Sequence, residues 1–185
     1  MLKKDGVAAL RELSLHLLDV IENSMRANAT IIRISAIRKD NMLTLSVEDD
    51  GPGLPVTPAQ ALDPFYTTKK GKKTGLGLSL FQASAEQAGG DFFLDKSPLG
   101  GLSVTARFQY DHWDRAPLGS FVDTMQTVAM SAPDIVWVCR IEGAEAAHTL
   151  ILQDFLADAG GSLISALRAF KEALTLALQD SGITS

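Results

Sequence analysis

A chain of 185 residues with 46% hydrophobic and 21% charged residues has the composition of a folded globular protein. Its length suits one domain with a sizeable core, or a core plus a small appendage. The net charge of −5 supplies no basic excess to displace counterions from nucleic acid, and the lone Cys139 allows neither an internal disulfide nor a thiolate metal cluster. No run of about 18 apolar residues exists to span a bilayer, and Lys3 and Lys4 are not followed by a signal-like apolar stretch. A cytoplasmic protein is expected, with neither nucleic acid nor membrane as its partner.

Residues 8–28 contain no Gly or Pro and predict one long helix. Glu12, His16, Asp19, Asn23 and Arg26 recur at steps of four, three, four and three, so they share one stripe of it. Apolar residues flank that stripe on both sides, with Leu13, Leu17 and Val20 on one and Leu15, Leu18 and Met25 on the other. Such a stripe either lines a polar cavity or forms an ordinary solvated face. In a cavity, Asn23 offers magnesium a hard oxygen ligand and Arg26, about one turn on, approaches phosphate.

Strand-like alternation follows around Ile31 to Ile37 and Leu43 to Val47, and the second strand ends in a turn at Asp50, Gly51, Pro52 and Gly53. Leu43, Leu45, Val47 and Asp49 share parity, so the Asp49 carboxylate points toward the core. Leaving it there unpaired costs several kcal/mol. An adenine amino group and an ordered water would serve as partners, and so would the amides of the local turn. Gly51 and Gly53 let a flat heterocycle approach the backbone closely.

Residues 54–74, with three prolines and a lysine cluster, predict a long functional loop. Lys69, Lys70, Lys72 and Lys73 either screen triphosphate charge from a lid or form a solvated run. Gly75 to Ala88 predicts a second long helix, stopped by Gly89 and Gly90. The glycines leading into it present free amides at a positive helix end, suited to phosphate. The Walker and Rossmann glycine patterns both fail here, the latter because Leu80 stands where a third glycine belongs.

Phe92 to Asp95 and Leu102 to Phe108 form a further strand pair. After Pro117 come a helix near 118–130, strands near 135–141 and 148–152, and a helix near 163–179. The two strands pair with each other or extend the main sheet. The last helix carries a stripe of Leu163, Leu167, Phe170, Leu174 and Leu178, which either packs on its own hairpin or serves a homodimer or partner surface. This order predicts an α+β fold with helices on one face of a mainly antiparallel sheet. Residues 1–116 form its first unit, and 117–185 form a small α/β extension on the same core.

Four segments in succession resemble the boxes of the GHKL superfamily of ATP-binding domains: histidine kinases, DNA gyrase, heat-shock chaperones and MutL. Asp19 to Thr30 resembles the N box, and Val47 to Leu54 the first glycine box. Asp63 to Lys69 is similar to the F box of histidine kinases, and Gly71 to Leu80 to the second glycine box. The resemblance implies a Bergerat fold, a two-layer α/β sandwich binding ATP with Mg2+. It implies that Asn23 binds the metal and that Asp49 reads adenine beside Gly51 and Gly53. Arg26, Thr68 and Lys69, with Gly75, Leu76, Gly77 and Leu78, complete the implied ATP site.

Two positions depart from the superfamily pattern. Asp50 stands where Asn is usual, which places a negative charge beside the expected pocket. Asp19 stands where histidine kinases carry Asn and the ATPase branches carry Glu, so it is the candidate catalytic acid for positioning water. The helical hairpin that carries a kinase phosphoacceptor is not expected within the 18 residues before Asp19, and His16 is expected at the pocket rim. The format resembles the anti-sigma serine kinases, which implies transfer of the ATP γ-phosphate to a separate protein partner. An ATP-driven switch or slow ATPase that controls partner binding is the alternative.

Overall fold

The computed structural model describes residues 12–63 and 76–183. The chain runs α1 (Leu13–Arg26), β1 (Ile31–Lys39), β2 (Met42–Asp49), α2 (Pro58–Ala61), α3 (Leu76–Gln87), β3 (Phe92–Lys96) and β4 (Leu102–Gln109). It continues through α4 (Phe121–Ser131), β5 (Val136–Glu142), β6 (Ala147–Ile151), α5 (Leu152–Asp158) and α6 (Leu163–Asp180). Among the described residues, six strands form one sheet in the order β3-β4-β2-β1-β5-β6, in which the β1–β5 pairing is parallel and the other four are antiparallel. The expected α+β class, with a mixed and mainly antiparallel sheet, is what the chain adopts.

Strict alternation in β2 buries Leu43, Leu45, Val47 and Asp49 while Thr44, Ser46 and Glu48 stay half-exposed. Ile32, Ile34, Val104, Ala106, Phe108, Trp137 and Cys139 join the same buried layer. Helix α1 lays Leu13, Leu17, Val20 and Ile21 into that core, as a period of 3.6 requires. Burial of this kind stabilises by roughly 1.5–3 kcal/mol per large side chain.

The ends of α1 explain its placement. No side chain caps its first turn; Leu13 and Ser14 instead donate their amides to the carbonyls of Pro117 and Leu118. At the other end Asn28 takes a left-handed conformation (φ 59°), with its amide on Met25 O and the Ala29 amide on Ser24 O. This is a Schellman stop, and it turns the chain directly into β1. Helix α3 ends in the same way at Gly89 (φ 68°), with Gly90 N on Ala85 O, as the Gly-Gly pair predicted. A Cβ on Gly90 would fall 1.7 Å from Arg107 O, so this stop also needs glycine for close passage along β4.

Two elements differ from the sequence reading. Within the expected loop 54–74, Thr57 and Gln60 form a capping box around the short α2, with Pro58 in its first turn. Leu152, read as the end of a strand, instead begins α5 and is fully buried. The two late strands both pair with each other and extend the sheet, since β5 runs beside β1. Leu167, Phe170 and Leu174 of α6 are buried, and Phe170 meets Phe155 of α5 edge-on at 5.5 Å. That stripe is therefore spent on the chain's own core.

Candidate nucleotide-binding site

Asp49 is the last residue of β2 and is 3% exposed. Its Oδ2 accepts a 2.6 Å hydrogen bond from Ser24 Oγ on α1, and its Oδ1 accepts from Gly51 N at 3.0 Å and Leu102 N at 3.1 Å. One donor belongs to the local turn, while the other two come from a helix and from β4. Together they fill three of the roughly four acceptor directions of an ionised carboxylate. Hydrogen bonds to a charged group contribute about 1.5–3 kcal/mol each, enough to hold the acid in the core layer.

The backbone closes tightly around this acid. Gly101 N donates to Asp49 O at 3.0 Å, and a Cβ on Gly101 would fall 2.1 Å from Asp49 Oδ1. Any side chain there would displace the carboxylate. Gly53 has φ +78°, the left-handed turn that its glycine permits. Beside it, residues 52–58 and the β3–β4 hairpin line an open cleft of about 480 Å³ that includes Gly53, Leu94 and Gly101.

On α1, Asn23 and Asp19 are half-exposed one turn apart, on the stripe the sequence assigned them. Asn23 Oδ1 accepts from Arg26 Nη2 at 2.6 Å, while Arg26 Nη1 reaches Glu22 Oε2 at 3.2 Å. Arg26 thus lies along its own helix. Across from α1, the first turn of α3 faces Asp19: a Cβ on Gly77 would meet Asp19 Cβ at 3.4 Å and its Oδ2 at 3.5 Å, ordinary contact distances. Leu76 is exposed and Leu78 packs against the core. Thr68, Lys69 and Gly75 lie outside the described residues, as does most of the predicted F box.

Three expectations need correction. His16 is not at a pocket rim: it is 3% exposed and stacks on Phe81 of α3 at 5.2 Å. Glu12, placed on the same stripe by its spacing, sits at the start of α1 with Oε2 facing Ser14 Oγ and Ser120 N. Asp50, expected to charge the pocket, accepts instead from Thr30 N (2.7 Å), Thr30 Oγ1 (2.5 Å) and Ile31 N (2.9 Å). Burial alone would raise the Asp50 pKa, but the hydrogen bonds from the Thr30 side chain and the Ile31 and Thr30 amides outweigh it and hold the carboxyl below its usual range.

Two residues at this site, Ser24 and Gly101, are not singled out by the sequence patterns. A hydroxyl spaced five residues from Asp19 and one from Asn23 was the available signal for the first.

Residues 9–112 match the family described as Histidine kinase-, DNA gyrase B-, and HSP90-like ATPase, and the chain belongs to that family. It is an ATP-binding domain of the histidine-kinase-like ATPase type. The chain is 32% identical over 107 residues to the signal transduction histidine-protein kinase AfsQ2 of Streptomyces coelicolor, a match covering 55% of this chain and 20% of that one. It is 37% identical over 93 residues to the sensor histidine kinase CpxA of Escherichia coli, covering 46% and 20%. The matched region thus spans about a fifth of the length of these relatives. Among solved structures, the ATP-binding domain of PrrB from Mycobacterium tuberculosis aligns at 26% identity and a TM-score of 0.40, covering 51% of this chain and 64% of that one. Among the described residues, no helix is long and apolar enough to cross a membrane.

Proposed function

We propose that this chain holds ATP with magnesium between α1, the turn after β2 and the start of α3, and passes the terminal phosphate to a hydroxyl or imidazole on a separate protein. The observation carrying the first half is the buried Asp49, with three protein donors and one acceptor direction remaining on Oδ2. The adenine amino group is the donor that this direction suits. Glycines 51, 53 and 101 keep side chains out of the space beside it.

Asn23 would supply one oxygen to the metal. The half-exposed amide oxygen of Asn23 is a hard donor of the kind magnesium prefers, and magnesium favours one or two protein oxygens plus phosphate and water. When bound, magnesium neutralises charge on the phosphates. Arg26 holds the Asn23 amide with its oxygen toward the guanidinium, and its release on metal binding would free one cation for phosphate. Thr68, Lys69 and the amides of Gly75, Leu76, Gly77 and Leu78 complete the proposed phosphate side.

The placement of the three histidines supports an acceptor outside these residues. His16 is buried against Phe81; His112 lies in the turn after β4 with Nδ1 accepting from Asp114 N; His148 lies on the edge strand β6, 3.3 Å from Asp180. In-line transfer requires an acceptor directly behind the terminal phosphate. With radiolabelled ATP and magnesium we therefore expect no acid-labile label on the chain itself, and acid-stable label on a partner serine or threonine. Acid-labile self-label lost in His112→Ala or His148→Ala would overturn the proposal. A second reading, an ATP-driven switch or slow ATPase, draws on Asp19, whose carboxylate faces the first turn of α3, where it could orient water. It takes precedence if no protein is labelled while ATP still changes partner affinity.

A further inference from the structure

The turn after β4 carries Trp113, which is 98% exposed, whereas the chain's other tryptophan, Trp137, is fully buried. The turn itself is held in place. Asn41 Nδ2 donates to Asp111 Oδ1 at 2.6 Å, His112 N to Gln109 O at 3.2 Å, Arg115 N to His112 O at 3.0 Å, and Arg115 Nε to Tyr110 O at 2.5 Å. A large apolar ring thus stands in water on a pinned support. Tryptophan is strongly enriched at the energetic centres of interfaces, and a pinned backbone lowers the ordering cost of binding.

The charges beside the ring are left open. Elsewhere the surface sets acids against basic side chains, as in Asp91–Arg107, Glu142–Arg140 and Asp123–Lys171. Here Arg115 turns inward: its guanidinium serves the carbonyls of Tyr110 and Ala116 and lies over the Tyr110 ring, 4.7 Å from the centroid. Asp111 and Asp114 stay exposed, two residues before Trp113 and one after it. Asp111 accepts from the neutral amide of Asn41. Asp114 lies 4.0 Å from His112 Nδ1, but that nitrogen accepts from Asp114 N and has no proton to share. Among the described residues, neither carboxylate is paired with a lysine or an arginine.

We propose that Trp113, with Asp111 and Asp114, is a docking site for an arginine-bearing segment of another protein. A guanidinium suits both features at once: its flat face stacks on the indole while its in-plane N–H groups form a fork for a carboxylate. A purely apolar partner would have to take two unpaired carboxylates out of water, which is costly. Phosphate-rich surfaces would be repelled by the same two charges. The net charge of −5 favours a basic partner at longer range. The site lies apart from the candidate nucleotide pocket. Strand β4 begins at Leu102, beside Asp49, and ends at Gln109, so roughly 23 Å of strand separates the two. The inference therefore does not depend on the nucleotide reading.

A capped, fluorescently labelled Gly-Arg-Ala-Arg-Gly peptide titrated with the full chain tests this, read by peptide anisotropy and, with unlabelled peptide, by tryptophan emission. The expected result is saturable binding that weakens as salt is raised, with an emission change that vanishes in Trp113→Phe because the remaining Trp137 is buried. Trp113→Ala and Asp114→Asn should each weaken binding about two- to five-fold, with unchanged thermal midpoints and unchanged ATP binding. A Gly-Glu-Ala-Glu-Gly peptide should not bind. Failure of the arginine peptide to bind overturns the proposal, and so does binding that is unchanged in Trp113→Ala or matched by the glutamate peptide. A Trp113 emission shift on phosphatidylcholine vesicles instead of the peptide would make the ring a lipid contact. A shift that follows the chain's own concentration before peptide is added would make a second copy the occupant. Either result overturns the proposal as well.

Discussion

Asp49 and Asp50 are adjacent in sequence and serve opposite regions of the molecule. Asp49 ends β2 on the core side, where Ser24, Gly51 and Leu102 surround it. Asp50 turns to the α1–β1 junction and ties down Thr30 and Ile31, the residues that follow the Schellman stop. One acid lines the candidate site, and the other latches the helix that carries that site to the sheet. The pair teaches that an acid's role follows from the donors its backbone parity brings within reach. Its neighbour's role does not predict it.

The largest effect expected is at Asp49. Asp49→Asn keeps the volume but replaces one acceptor oxygen with an NH2 group. Turned one way the amide sets a donor against the adenine amino group, while the Ser24 hydroxyl can rotate to accept; turned the other way it sets a donor against the amides of Gly51 and Leu102. We expect loss of about 2–4 kcal/mol of ATP binding, from a lost charge-assisted bond and the donor clash. Calorimetry should show binding nearly abolished while circular dichroism shows the fold retained. Normal binding would mean that the nucleotide does not reach Asp49.

A smaller and conditional effect is expected one helix away. Asn23→Ala removes the proposed metal ligand and also frees Arg26 from its 2.6 Å hydrogen bond. If Asn23 coordinates magnesium, ATP affinity should fall about ten-fold in magnesium, some 1.4 kcal/mol, and change little in EDTA. Equal losses in both buffers would reduce Asn23 to a residue that shapes the helix surface.

How much of this was legible beforehand varies by residue. Period-two parity alone turned Asp49 inward, and the Gly89-Gly90 pair alone marked the end of α3. Ser24 and Leu102 were out of reach because they lie 25 and 53 positions from Asp49, and periodicity reports a face without its opposing partner. His16 misled for the same reason. The wheel set it with Asp19 and Asn23, but Phe81 from α3 covers that end of the stripe. The α2 capping box was readable at Thr57 and Gln60, yet the prolines around it outweighed that signal. Leu152 could end a strand or begin a helix, since a fully buried leucine suits either.

The smallest effect expected sharpens the comparison most, because it repeats the same substitution one residue on. Asp50→Asn retains an acceptor oxygen for Thr30 N and Ile31 N and loses mainly the charge and part of the Thr30 Oγ1 bond. It also installs the residue usual in the GHKL pattern. ATP affinity should therefore stay within about two-fold, and stability at neutral pH should fall by less than about 1 kcal/mol. The pH dependence carries the sharper test. Asp50 is held below its ordinary value of 3.8, so its carboxylate contributes stability above that value and loses it as pH falls through the depressed folded-state value. The gap between wild type and Asp50→Asn should thus be constant from neutral pH to about pH 5 and shrink below about pH 4. Denaturant unfolding of both proteins at a series of pH values measures it. A gap that persists unchanged into strong acid would show that Asp50 is not ionised against Thr30, and a large loss of ATP binding would return its charge to the pocket.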